Sequence, residues 1–320
     1  MIEVPCIRSN KNTGKPDCPF DPSVWLGFFL APLGNAKIPA ASRVDQDTLK
    51  AFINAQLQHN NPALRWHHIG RLEDWVDKST AVQTQTLPNG VMVATDRMHL
   101  AGEYQIIQGG KYYHQALISF NNQPQNYLLF PYDRNNVLMG TEDIDIAQDM
   151  TGYTLSMLFA YDYKPATSKA VSEYKGMIAF ENAAEMNENF FATKCNFDLT
   201  KLKGVQDVEI VATPGTADGQ HVLKLYTGGR TLNIVKSLGT AAATATNFLF
   251  TNKATGATVT FTAALSADGE SVVLSASLAD TDYVDGADML ITLNTVSQLA
   301  TNGLKYFEAI APATVVATNP

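Results

Sequence analysis

Three cysteines, six histidines and one dense acidic run are the side chains of this 320-residue chain best suited to chemistry. Cys6 and Cys18 enclose eleven residues. A structural zinc site uses a much tighter Cys-x-x-Cys-type knuckle, so this spacing reads as free thiols. Cys195 with a distant histidine is compatible with a cysteine nucleophile, but a small buried apolar residue is the expected role. His67 and His68 follow Trp66 in a loop-like stretch. Neighbouring side chains on an extended chain point to opposite faces, so the two cannot easily bind one metal, and a surface or interface pair is expected. The run Thr141–Asp149 carries Glu142, Asp143, Asp145 and Asp149. It lacks the glycine and closing glutamate of a calcium loop and is expected to be a solvated turn or a lining of negative charge. No Gly-x-Ser-x-Gly elbow occurs, and Gly109-Gly110 and Gly228-Gly229 lie between strand-like segments instead of opening a helix that could hold phosphate. The chain is therefore expected not to be an enzyme and to need no cofactor and no metal.

The elements that would position these residues are mostly strands. Residues 1–24 are rich in Pro, Asn, Lys and Asp and read as an extended arm, which Pro5, Cys6, Pro16 and Phe20 would dock on a neighbouring subunit. Trp25–Pro32 reads as a buried strand. Leu49, Phe52, Ile53 and Leu57 then make one apolar stripe at helical spacing, which predicts a helix over 43–59, started by Ser42 with Asp45 three residues on as a capping box.

From Thr80 to Asn182 the pattern is hairpins. Pro88-Asn89-Gly90 separates Thr80–Leu87 from Val91–Leu100. Gly109-Gly110 separates Tyr104–Gln108 from Lys111–Phe120, and Asn135-Asn136 separates Tyr127–Asp133 from Val137–Gly140. Tyr153–Tyr163 and Val171–Phe180 form a further pair joined by Lys164–Ala170, and a short helix is expected at Ala183–Asn189. The two longest hairpin arms carry polar residues on both faces and are expected to project.

Phe197–Gly204 reads as a boundary. Beyond it the composition changes: residues 241–320 hold 17 Ala and 13 Thr with no Trp and no Cys. Seven short strands are expected there, at Val205–Ala212, His221–Tyr226, Asn247–Thr251, Ala257–Ala263, Ser271–Ser277, Met289–Asn294 and Lys305–Ile310. Their number and spacing suit an immunoglobulin-like sandwich. Gly239–Thr246 could instead be a linker. The fold class predicted is mostly β: an antiparallel sandwich or barrel-forming domain over 25–204 with one packed helix and long hairpins, followed by an Ig-like sandwich over 205–320.

Apolar residues at 45% and charged residues at 17% mark a globular chain. The net charge is −8, and neither part carries a basic stripe: residues 1–200 hold 16 Lys and Arg against 21 Asp and Glu. Tight nucleic-acid binding is not expected, since an acidic surface repels the phosphate backbone. The N-terminus has no basic-then-apolar leader, and the longest apolar run is too short to span a bilayer, so synthesis in a cytoplasm without a cleaved signal and no membrane partner are expected.

Taken with Asn121-Asn-Gln-Pro-Gln-Asn-Tyr-Leu-Leu-Phe130, Tyr153-Thr-Leu-Ser-Met-Leu-Phe159 and Phe180-Glu-Asn-Ala-Ala-Glu-Met-Asn-Glu-Asn189, this architecture resembles a major tail tube protein of a long-tailed bacteriophage with an optional Ig-like module. The resemblance implies a virion protein that assembles with itself into stacked rings, contacts other virion proteins and lets DNA pass without specific binding. It also implies that Glu142, Asp143, Asp145 and Asp149 contribute to an acidic lumen. A capsid decoration or head-fibre protein, and a carbohydrate-binding adhesin, are the alternatives.

Overall fold

The computed structural model describes residues 24–318 except 82–83, 90, 95–98, 107–109, 144, 147, 169–171 and 188. It is mostly β, with antiparallel sheets and few helices. The chain forms two compact units, one built on residues up to 203 apart from 58–60, the other on residues from 204.

The first unit runs β1 (Trp25–Pro32), β2 (Lys37–Ile38), α1 (Gln46–Leu57), β3 (His67–Gly70), β4 (Asp74–Asp77), β5 (Thr84–Thr86), β6 (Met92–Ala94) and β7 (Ala101–Ile106). It continues with α2 (Gly110–Ile118), β8 (Tyr127–Asp133), β9 (Val137–Glu142), β10 (Met150–Thr151), β11 (Tyr153–Ala160), β12 (Tyr174–Phe180), α3 (Ala183–Asn187) and β13 (Phe190–Lys194). Eleven of these strands form one antiparallel sheet in the order β2-β10-β9-β8-β11-β12-β7-β4, with β1 joining β3 to β8 and β13 on β9. Among the described residues β5 and β6 pair only with each other, and the Thr80–His99 bridge links their ribbon to the end of the β4–β7 pair.

β1 explains why the run Trp25–Pro32 is apolar without alternation. Phe28 and Leu30 enter one core cluster, while Phe29 and Ala31 enter another on the opposite face. A strand covered on both faces needs apolar residues at every position. The second cluster is closed by α1, whose Leu49, Ile53 and Leu57 are buried against Phe29, Trp66, Phe130 and Ile38.

The helix begins later than predicted. Asp45, not Ser42, is the cap: its carboxylate accepts from the Thr48 amide (2.8 Å) and the Thr48 hydroxyl (2.7 Å). Ser42 instead lies in a 3-10 turn over Ala40–Arg43. A carboxylate three residues before a free amide is the shorter route to satisfying the helix start. Two further expectations are corrected. Residues 110–118 are the helix α2 and not a strand, because the chain there places Tyr113, His114 and Leu117 on one inward side at helical spacing. The β11–β12 hairpin does not project: β12 also pairs with β7, and its residues alternate buried and half-buried.

The second unit runs β14 (Gln206–Pro214), β15 (Gln220–Thr227), β16 (Leu232–Asn233), α4 (Ile234–Leu238), β17 (Phe248–Asn252) and β18 (Phe261–Leu265). Then follow β19 (Val272–Ala276), β20 (Asp288–Leu293), α5 (Val296–Thr301), β21 (Phe307–Ala309) and β22 (Ala313–Val316). One sheet has the order β18-β19-β15-β14-β21 with β16 on β15, and the other the order β17-β20-β22. They enclose a single cluster that includes Leu223, Leu225, Phe250, Leu274 and Ile291, so the unit is a sandwich. It departs from seven antiparallel strands: β14 and β21 run parallel, and two short helices are added. The stretch 239–246 is not a linker. Ala242 is fully buried in the core, and the Asn247 side-chain amide donates to the carbonyls of Ala241 (2.8 Å) and Ala242 (3.3 Å).

Candidate functional site

The acidic run forms the turn between β9 and β10, and the fold pins it closely. The Asp143 carboxylate accepts from the amides of Asp145 (2.8 Å) and Ile146 (3.3 Å), and its other oxygen pairs with Lys37 Nζ at 2.6 Å. The Lys37 ammonium holds the Asp143 carboxyl below the usual carboxylate range, and the pairing raises Lys37 in turn. Asp149 accepts from the Ala40 amide at 2.8 Å, and Glu142 accepts from the Gln148 amide at 3.1 Å. The buried Arg43 donates to the Gln148 carbonyl and lies over the Phe191 ring, 4.5 Å from its centre.

The structure therefore separates the four acids predicted to line a lumen. Asp143 and Asp149 are buried, with their oxygens turned into this local network. A carboxylate engaged by backbone amides, and for Asp143 also by a lysine, presents less charge outward than an exposed one. Asp145 is exposed and Glu142 half-exposed. Both line a cleft of about 280 Å³, which Asp143 also borders, together with Lys37, Thr141 and Glu185. Glu185 is held there by the Thr154 amide and hydroxyl, each at 2.8 Å, and burial pushes its carboxyl up. Among the described residues no group of three His, Cys, Asp or Glu side chains is placed to hold a metal ion. The arm residues Pro5, Cys6, Pro16 and Phe20 lie outside the described residues.

The histidine pair is placed differently from the sequence expectation. The two rings do point to opposite faces of β3, and each is half-buried and packed against aromatic side chains. His67 meets the edge of Phe120 at 4.9 Å and Tyr127 at 6.1 Å. His68 stacks on Phe29 at 4.8 Å, with its Nδ1 2.7 Å from the Leu202 carbonyl and its Nε2 2.7 Å from the Tyr132 hydroxyl. A carbonyl only accepts, so Nδ1 carries the proton and Nε2 accepts from Tyr132. Glycine at positions 27 and 70 makes room for this pair: a Cβ at Gly27 would overlap the Tyr132 hydroxyl, and one at Gly70 would stand 2.9 Å from His68 Nε2. Cys195 is buried in the α1 core, and burial pushes its thiol up to about 12, which removes the thiolate a nucleophile needs.

The hairpin β5–β6 falls within the hairpin predicted around Pro88-Asn89-Gly90, but its exposed apolar side chains were not anticipated from the sequence. Its register is Thr84↔Ala94, Gln85↔Val93 and Thr86↔Met92, closed by the Leu87 amide donating to the Val91 carbonyl at 2.8 Å. Met92 is 66% exposed, and Leu87, Val91 and Val93 are exposed too. Met92 lies on one face of the ribbon and Val91 and Val93 on the other, so both faces present apolar groups. The signal was available as three consecutive apolar residues, Val91-Met92-Val93, beside a turn, a pattern that no half-buried strand requires.

No protein-family model matches this chain, and no curated protein and no solved structure matches it either. Among the described residues no helix is long and apolar enough to cross a membrane.

Proposed function

We propose that this protein is a self-assembling structural component of a phage virion, forming stacked rings of the tail-tube kind, with the second unit carried as an accessory sandwich. The observation that supports the reading best is the β5–β6 hairpin. The ribbon is the outer end of the β4–β7 pair, continued beyond the sheet by the Thr80–His99 bridge, and its four exposed apolar side chains (Leu87, Val91, Met92 and Val93) are costly to leave in water. A neighbouring copy that covers the ribbon would bury that apolar surface. The eleven-stranded sheet of the first unit supplies the rigid base from which such a hairpin reaches, and Asp145 and Glu142 leave negative charge on the turn between β9 and β10. Negative charge of this kind lets a polyanion slide without sticking.

The test is electron microscopy of the purified chain at increasing concentration, compared with a Met92→Asp, Val93→Asp double variant. Stacked rings or tubes from the wild type, and only small species from the variant, are expected. A wild type that stays monomeric at every concentration, or a variant that forms the same tubes, overturns the reading.

A further inference from the structure

The second unit carries an open sheet edge of unusual composition. The segment Ala257–Leu265 serves two sheets in turn. In its first half, the Asn252 amide donates to the Ala257 carbonyl (2.9 Å) and the Val259 amide to the Phe250 carbonyl (2.8 Å), which pairs it with β17. From Phe261 it becomes β18 and pairs with β19. The phase of that second ladder follows from its two ends: the Ser277 amide donates to the Thr260 carbonyl at 2.8 Å, and the Ser266 amide to the Ser271 carbonyl at 2.9 Å. In an antiparallel ladder the hydrogen-bonding direction alternates, so Thr262 and Ala264 bond toward β19, while Phe261, Ala263 and Leu265 turn their amides and carbonyls the other way. That other edge is the one on which Ala257 and Val259 met β17. Past Val259, β17 peels away, and the fork it leaves is a cleft of about 430 Å³ lined by Thr246, Phe248, Val259, Phe261, Asn294 and Gln298. Within the described residues, no backbone partner is found for the outward amides of Phe261, Ala263 and Leu265.

Such an edge is normally blunted by a charge or a proline. The edge strand at the far end of the same sheet, β21, carries Glu308, and Pro312 stands just before β22. β18 has neither. Residues 254–267 contain no charged residue and no proline, in a chain whose net charge is −8. Copies of an acidic chain repel one another over most of their surface, so a 14-residue neutral segment that includes three residues whose outward amides and carbonyls have no backbone partner among the described residues is where two copies meet at least electrostatic cost. The side chains suit the same occupant. Phe261, Ala263 and Leu265 face the unit's own core, which leaves exposed only the small Thr262 and Ala264 on the outer face.

We propose that β18 is a self-pairing edge: two copies join their β18 strands antiparallel about a twofold axis at Ala263, which merges two sandwich sheets into one continuous sheet. In that register Phe261 pairs with Leu265 of the second copy, Ala263 with its own equivalent, and Thr262 stands opposite Ala264. The two-fold contact is isologous and closes on itself. It lies in the second unit and does not depend on the tube reading, which rests on the hairpin of the first.

Thr262 and Ala264 occupy non-hydrogen-bonded positions of the new ladder, where Cα atoms approach closely enough for a disulfide. Full-length Thr262→Cys and Ala264→Cys proteins, mixed under mild oxidation and digested for mass spectrometry, should yield a 262–264 cross-linked peptide between copies. A 262–262 or 264–264 peptide from either protein alone supports the same edge in the adjacent register. Two variants complete the test. Ala263→Pro removes an outward amide without touching the ladder to β19, and Thr262→Lys, Ala264→Lys sets lysine opposite lysine on exposed positions. Introduced into the cysteine proteins, Ala263→Pro should reduce cross-linking about tenfold or more, since a proline at an open edge deletes a pairing hydrogen bond. Sedimentation of the chain already carrying Met92→Asp and Val93→Asp should still show a dimer, which Thr262→Lys, Ala264→Lys converts to monomer with unchanged circular dichroism. Absence of every one of these cross-links, or a dimer that survives both edge variants, overturns the proposal.

Discussion

His68 has both ring nitrogens engaged, one donating to the Leu202 carbonyl and one accepting from Tyr132. A second proton on the ring would displace the tyrosine's hydrogen bond and put a charge among Phe29, Tyr132 and the sheet backbone. Burial accordingly pushes His68 down to about 4, and burial with the nearby Arg65 does the same for His67. The sign of the consequence follows from linkage. Between pH 4 and the ordinary value of 6.5 the unfolded chain binds these protons and the folded chain does not. Stability is therefore complete above about pH 6.5 and is lost as the pH falls toward 4, by up to about 3 kcal/mol per histidine at 1.36 kcal/mol per unit. Urea midpoints should fall steadily between pH 7 and 5, above the range in which carboxylates titrate. A flat profile over that interval would show that the rings protonate in place without cost. None of this was legible in the pair His67-His68 alone, because adjacency tells which way two rings point and not what lies on either side of the sheet.

At the scale of the element, the apolar stripe of α1 was readable because Leu49, Ile53 and Leu57 recur at the helical period whatever they pack against. Its start was not, because Ser42 and Asp45 are both good caps and the choice depends on where the preceding turn leaves the chain. The structure assigns the cap to Asp45, so Asp45→Ala should destabilise by about 1 kcal/mol, while Ser42→Ala should stay within about 0.5 kcal/mol of wild type. Equal losses in the two variants, measured by chemical denaturation, would return the capping role to Ser42. The strand Ala257–Ala263 offers a similar contrast. Its alternation was plain, yet nothing in it announced that one extended segment would pair with β17 in its first half and β19 in its second. Conversely, α2 was read as a strand because Gly109-Gly110 looked like a hairpin turn, and the helical spacing of Tyr113 and Leu117 prevailed once both had a core to enter.

At the scale of the whole molecule, each unit has its own core, and all three tryptophans, Trp25, Trp66 and Trp75, belong to the first. Tryptophan fluorescence therefore follows the first unit alone, while far-ultraviolet circular dichroism follows both. Leu223 is fully buried in the second unit, and Leu223→Ala should cost that unit about 2–5 kcal/mol through lost contacts and a cavity. The circular dichroism transition should then split, with an early phase that leaves the fluorescence midpoint unmoved; a fluorescence midpoint that shifts with it would show the two cores unfolding together. The sequence alone determined the mostly β class, the positions of most strands and the change of character near residue 204, since all three depend on local period, turn residues and composition. Only the tertiary structure decided which acids face water, that Gly239–Thr246 is packed against a core, that the histidines pack against aromatic rings, and that among the described residues the β5–β6 ribbon and the outward side of β18 meet no further strand. Those outcomes depend on what the rest of the chain brings alongside a segment. Burial and unpaired edges are properties of neighbours in space, and the local pattern of residues does not encode them.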